Sequence, residues 1–85
     1  MKKQVEMCLG DQIRSERYRK NLSQLSLSQQ CGLHRSYIGL IERGEKNITV
    51  INCMKVANAL GISLSELIAR VESSLISRDC LAEVS

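Results

Sequence analysis

At 85 residues the chain has room for one small domain, because a chain of this size buries only roughly 60–65% of the surface its unfolded form exposes. It has no Phe, Trp or Pro and only Tyr18 and Tyr37 as aromatics, so its core is built from Leu, Ile, Val, Met, Ala and Cys, and no Pro-rich linker or repeat divides it. The net charge of +3 does not by itself establish a nucleic-acid partner, and no apolar run is long enough to span a membrane.

Residues 1–8 carry no clear periodicity and read as a flexible or loosely helical N-terminal arm; Met1-Lys2-Lys3 is followed by polar Gln4 and Glu6, unlike a secretory signal. A first helix is expected from Leu9 to Lys20, with Leu9 and Ile13 on one face and Asn21 as a left-handed C-terminal cap. Ser23 is a good N-cap for a second helix over Gln24 to Cys31, which faces Leu27 and Cys31 inward and stops at Gly32. After Gly32-Leu33-His34 a third helix is expected from Arg35 to Arg43, with Tyr37, Ile38 and Ile41 as its buried stripe and Gly44 as its end. Two short helices joined by about three residues that include a glycine are what a helix-turn-helix requires.

Thr49 caps a fourth helix, Val50 to Leu60, in which Val50, Cys53, Met54, Ala57 and Leu60 recur at helical spacing. The sequence Ser63-Leu64-Ser65-Glu66 reads as a capping box opening a fifth helix to Val71. Beyond Glu72, Leu75-Ile76 and Leu81 point either to a sixth, frayed helix or to packing on a partner chain. The expected organisation is an all-α domain over residues 9–72, with an arm over 1–8 and a tail or short helix over 73–85.

Charge is polarised along the chain. From Asp11 to Lys55 eight basic residues face four acidic ones, whereas Val56 to Ser85 carries an excess of two acidic residues. Such an arrangement suits a protein that turns one surface to phosphate. Cys8, Cys31, Cys53 and Cys80 form no C-x-x-C pair and are accompanied by one histidine. A structural zinc site is therefore not expected, Cys31 and Cys53 read as small core residues, and the expected compartment is the reducing cytoplasm. No nucleophile–base set, carboxylate pair or phosphate loop is recognisable, so neither an enzyme nor a cofactor is expected.

Four linked segments carry a resemblance. Leu9-Gly10-x-x-Ile13-Arg14, Leu22-Ser23-Gln24, Tyr37-Ile38-Gly39-Leu40-Ile41-Glu42-Arg43-Gly44 and Val56-Ala57-x-Ala59-Leu60-Gly61-Ile62-Ser63 stand at separations that resemble the Xre family, the Cro and lambda-repressor-like helix-turn-helix domains. With Arg35-Ser36-Tyr37-Ile38 and Arg43-Gly44-Glu45-Lys46-Asn47-Ile48-Thr49 the chain looks most like the controller proteins of restriction–modification systems. Phage or plasmid repressors and toxin-binding antitoxins are the alternatives. The resemblance implies a lambda-repressor-like fold and a transcriptional regulator that binds a palindromic operator as a homodimer. Its implied partners are double-stranded DNA, a second copy and RNA polymerase.

Within that frame Arg35 and Ser36 open the recognition helix, whose N-terminal residues face base edges in the major groove. Arg35 either reads a guanine or holds a phosphate; the ring of Tyr37 either closes the core or contacts DNA. Gln24 resembles the family glutamine that binds phosphate and braces the recognition helix, with Ser23 beside it, while Arg43, Lys46 and Asn47 are expected along the backbone. Arg17 and Glu42 match a structural ion pair between the first and third helices. Ile51, Ile68 and Val71 form the expected dimer interface; the alternative is that they cover the base of their own chain under the C-terminal tail. Two departures stand out: Glu16 replaces a usual buried leucine, so that either the first helix packs differently or Glu16 finds a basic partner, and Gly39 shortens the reading surface.

Overall fold

In the computed structural model, which describes residues 2–77 with side chains from residue 4, five helices follow one another: α1 (Lys2–Arg19), α2 (Gln24–Cys31), α3 (Arg35–Glu42), α4 (Val50–Ala59) and α5 (Leu64–Ser77). Their internal boundaries follow local chemistry. Ser23, Thr49 and Ser63 accept hydrogen bonds from the amides of Ser26, Asn52 and Glu66 at 3.0–3.1 Å, satisfying donors that a helix start leaves unpaired. Asn21 takes a positive φ of 57° after α1, as a left-handed cap does. Gly32 closes α2 at φ +77°, and its amide donates to the Ser28 carbonyl at 2.9 Å. The capping box is only half formed, since the Glu66 carboxylate pairs with Arg70 one turn ahead rather than reaching back to Ser63.

One core joins all five helices. Ile13, Leu27, Ile38, Ile41, Val56, Leu60 and Leu67 are buried, with Cys31, Cys53 and Ala57 filling the narrower gaps. Val50 and Met54, expected on the inner stripe of α4, are 68% and 53% exposed. The inward face of that helix runs instead through Cys53, Val56 and Ala57 to Leu60.

The ends of the fold differ from the sequence expectation. Residues 2–8 are not a separate arm: they continue α1, and Cys8 is fully buried in a second small cluster with Val71 and Leu75. Likewise α5 runs to Ser77 and absorbs Leu75 and Ile76, so residues 73–77 form no separate helix; Leu81 lies outside the described residues. The two extensions stabilise each other, because each supplies the apolar surface that the other covers. Val71, 4% exposed, is thereby buried within its own chain and is not available to a dimer interface.

Glu16 stays on the inner face of α1 at 2% exposure. Its Oε1 accepts from Arg70 of α5, and Arg19 Nη1 lies 3.4 Å from Oε2, which has no aligned hydrogen bond among the described residues. The hydrogen bond to Glu16 is the main cause that raises the Arg70 pKa above its ordinary value. A basic partner thus takes the place of the leucine contact. Removing Arg70 strands a buried carboxylate, whereas removing Glu16 leaves Arg70 partly exposed and still paired with Glu66. Arg70→Ala is therefore expected to lower stability, by stranding the buried Glu16 carboxylate, while Glu16→Leu lowers it less or not at all. Urea denaturation checks this, and a Glu16→Leu variant weaker than Arg70→Ala would contradict it.

Candidate nucleic-acid interface

Local chemistry sets the first turn of α3. The chain leaves α2 through Gly32, and His34 becomes the N-cap of α3, its Nδ1 accepting the Ser36 amide at 3.0 Å while its carbonyl receives the amides of Tyr37 and Ile38. The position of His34 immediately before α3, two residues ahead of Ser36, is the sequence signal for this cap. Arg35 and Ser36, immediately after it, are exposed. The helix behind them is anchored by buried Ile38 and Ile41, so two polar side chains project from the start of a helix whose opposite face is fixed.

The far end of α3 is held by one carboxylate. Glu42, 3% exposed, receives Arg17 bidentately, Nε to Oε2 at 2.7 Å and Nη2 to Oε1 at 2.9 Å. Arg17 Nη1 also donates to the Leu22 carbonyl at 3.0 Å, which ties the α1–α2 turn to the same point. The hydrogen bond that Arg17 donates to Glu42, outweighing desolvation, raises the Arg17 pKa above its ordinary value. Gln24 Nε2 donates to Glu42 Oε1 at 3.1 Å, and Arg14 Nη1 donates to the Glu42 backbone carbonyl at 3.2 Å. The Arg14 contact escaped the sequence reading, although Arg14 and Arg17 share a face of α1 at a spacing of three.

Gly39 opens the middle of α3. A Cβ there would lie 3.3 Å from Arg43 Nη1 and 3.6 Å from Gln24 Oε1, so Gln24 and Arg43 converge over the space a larger residue would occupy. Arg43 is 56% exposed and pairs with Glu45 at 3.3 Å. Lys46 and Asn47 are exposed on the segment after α3, and Ser23 is exposed at the start of α2. Tyr37 packs its half-buried ring against the core, and its hydroxyl accepts from Asn52 Nδ2 at 3.2 Å. The ring therefore belongs to the core, and its polar end ties α3 to α4 through Asn52, which the sequence reading did not single out.

On another face, Ile51 is 68% exposed and Ile68 40% exposed. Between α4 and α5 a shallow apolar groove is lined by Leu9, Ile48, Val50, Cys53, Leu64 and Ile68. Burial pushes the Cys53 thiol pKa up, which keeps it protonated and a poor metal ligand. No cluster of three or more potential metal ligands occurs among the described residues, and no helix there is long and apolar enough to cross a membrane.

Comparison with known proteins agrees with this architecture. Residues 13–67 match the helix-turn-helix family HTH_3. The control protein C.SmaI of Serratia marcescens is 41% identical over 66 residues, covering 78% of this chain and 79% of that protein. The control protein C.BamHI of Bacillus amyloliquefaciens is 38% identical over 69 residues, covering 80% and 85%. Among solved structures, the restriction-modification controller protein C.AhdI from Aeromonas hydrophila superposes with a TM-score of 0.71 at 42% identity, covering 73% of this chain and 94% of that one.

Proposed function

The chain belongs to the helix-turn-helix family, in its branch of restriction–modification control proteins, and from that premise we propose that it is a homodimeric regulator of its own operon that reads a palindromic operator through Arg35 and Ser36. The observation that carries this reading is the exposed pair at the capped start of α3, on a helix held at its other end by the Glu42 cluster. Arg35 donates two hydrogen bonds to guanine in the major groove, and Ser36 contacts the neighbouring base or phosphate. Ser23 and Gln24 present the start of α2 to a phosphate, and Arg43, Lys46 and Asn47 hold the flanking backbone, fixing register while carrying little sequence information. In this assignment Tyr37 supports the reading surface from the core.

A recognition helix this short spans only a few base pairs, so specificity requires two copies placed about 34 Å apart on one face of the duplex. Ile51 and Ile68 are the proposed interface residues, on the exposed apolar face of α4 and α5; Val71 has no part in it. RNA polymerase is the proposed further partner when the regulator activates. The buried free thiols of Cys8, Cys31 and Cys53 suit the reducing cytoplasm, and no catalytic role is proposed.

Selection from a random pool of duplexes tests the reading: a two-fold symmetric site should emerge, and its absence would refute operator binding. Ile51→Asp should sediment as a monomer and bind that site more weakly. An unchanged dimer removes Ile51 from the interface.

A further inference from the structure

Gly10 lies on α1 where that helix crosses the end of α3. A Cβ at this position would stand 2.6 Å from the Glu42 carbonyl oxygen, 2.9 Å from the Glu42 carbonyl carbon, and closer still to the Ile41 carbonyl oxygen. All three are backbone atoms, so no rotamer change relieves the contact. Backbone conformation does not require glycine here, since Gly10 sits inside α1 without a positive φ and alanine is the better helix former. The closeness of α3 is what excludes a side chain. The carbonyl that crowds position 10 is also the one that accepts from Arg14, on the residue whose carboxylate holds Arg17 and Gln24. One turn earlier Met7 packs on Gly44, just beyond α3, where an added Cβ would meet Met7 Cγ at 2.8 Å.

We propose that Gly10 is a positioning residue for sequence reading: its missing side chain lets α1 seat the C-terminal end of the recognition helix, and that seat sets the angle at which Arg35 and Ser36 meet the bases. Arg35 is seven residues from Glu42, on the order of 10 Å along the helix. A methyl group at position 10, 2.6–2.9 Å from backbone atoms of Glu42, forces the α3 terminus away against side chains that still hold it, and the helix tilts. A bidentate base contact tolerates about 0.5 Å and 10–20° of error, whereas phosphate contacts through long, exposed Arg and Lys side chains follow the shift. The variant therefore loses discrimination while keeping non-specific affinity.

This inference rests on the operator reading proposed above, and the test separates the two. Wild type, Gly10→Ala and Met7→Ala are titrated against the site selected by the wild-type chain and against a scrambled duplex of equal length, with circular dichroism and thermal melting as fold controls. Gly10→Ala should lower the ratio of specific to scrambled affinity by about tenfold, the size of one lost base contact, with scrambled-duplex affinity and its salt dependence unchanged. A purely structural defect would lower both affinities together. Met7 is 42% exposed, so Met7→Ala leaves the core intact and should reduce the same ratio by a smaller factor; it decides the matter if Gly10→Ala does not fold. An undiminished ratio in the folded variants, or equal losses on both duplexes, overturns the role of Gly10. Failure of the wild type to select any site overturns the operator reading and this inference with it.

Discussion

Arg17→Ala is expected to cost about 3–5 kcal/mol of folding stability, because it leaves the Glu42 carboxylate buried without its bidentate partner. Total stability of a native domain is only about 5–15 kcal/mol, so much of the molecule's margin rests on this contact. For a domain of this size each kcal/mol moves the melting midpoint by about 4–8 °C, which predicts a fall of at least roughly 12 °C. The comparison needs equal protein concentrations, since a dimer's midpoint depends on concentration. Gln24 and Arg14 reach Glu42 as well, but a neutral amide and a backbone contact do not replace a guanidinium on the carboxylate. Below its midpoint the variant should lose less base preference than Gly10→Ala, because Gly10 still seats the α3 terminus and Arg14 and Gln24 still reach Glu42. A loss under about 1 kcal/mol would show that Glu42 is solvated once Arg17 is removed. A double replacement, Arg17→Met with Glu42→Leu, should recover most of the stability, since an apolar pair carries no desolvation penalty.

For DNA reading the largest expected effect belongs to Arg35→Ala. It should reduce discrimination at one position of each half-site by about 1–3 kcal/mol, or roughly 5- to 150-fold, while binding to random DNA stays near its original strength. Lys46→Ala is the contrasting case. As a phosphate contact it should weaken all sequences alike and flatten the dependence of log affinity on log salt by about one unit. Titrations of both variants at several salt concentrations, on the selected site and on scrambled duplex, separate the roles. Equal losses on both duplexes for Arg35→Ala would assign that residue to phosphate.

What the sequence makes legible is chemistry that acts over a few residues. The caps at Ser23, Thr49 and Ser63 and the left-handed turns at Asn21 and Gly32 depend on neighbours within one helical turn, so they can be read directly. The helix over residues 2–8 could not be read that way. Its support is the burial of Cys8 against Val71 and Leu75, more than sixty residues away, and those residues looked surplus to a small core for the same reason. For Val71 the choice between a dimer face and its own chain depends on Cys8, far away in sequence, which packs on it. At Glu16 the sequence showed the anomaly but not the answer, since Arg70 stands 54 positions along the chain. The candidate site divides in the same way: Arg35 and Ser36 follow from their place after the turn, the Arg17–Glu42 pair and the brace by Gln24 follow from the family resemblance alone, and the contact of Arg14 with the Glu42 carbonyl depends on how α1 crosses α3. The half-formed capping box has a local reason, because Arg70 one turn on competes for Glu66.

In the proposed complex the start of α3 lies in the major groove and reads guanine. Dimethyl sulfate methylates guanine at N7, on the major-groove edge that Arg35 is proposed to bind. Footprinting with this reagent on the selected duplex should show protected guanines at two positions related by a dyad, about 10 base pairs or a multiple of that apart, with protection lost in Arg35→Ala. Protein bound to the site with those guanines as reactive as in free DNA would contradict the account.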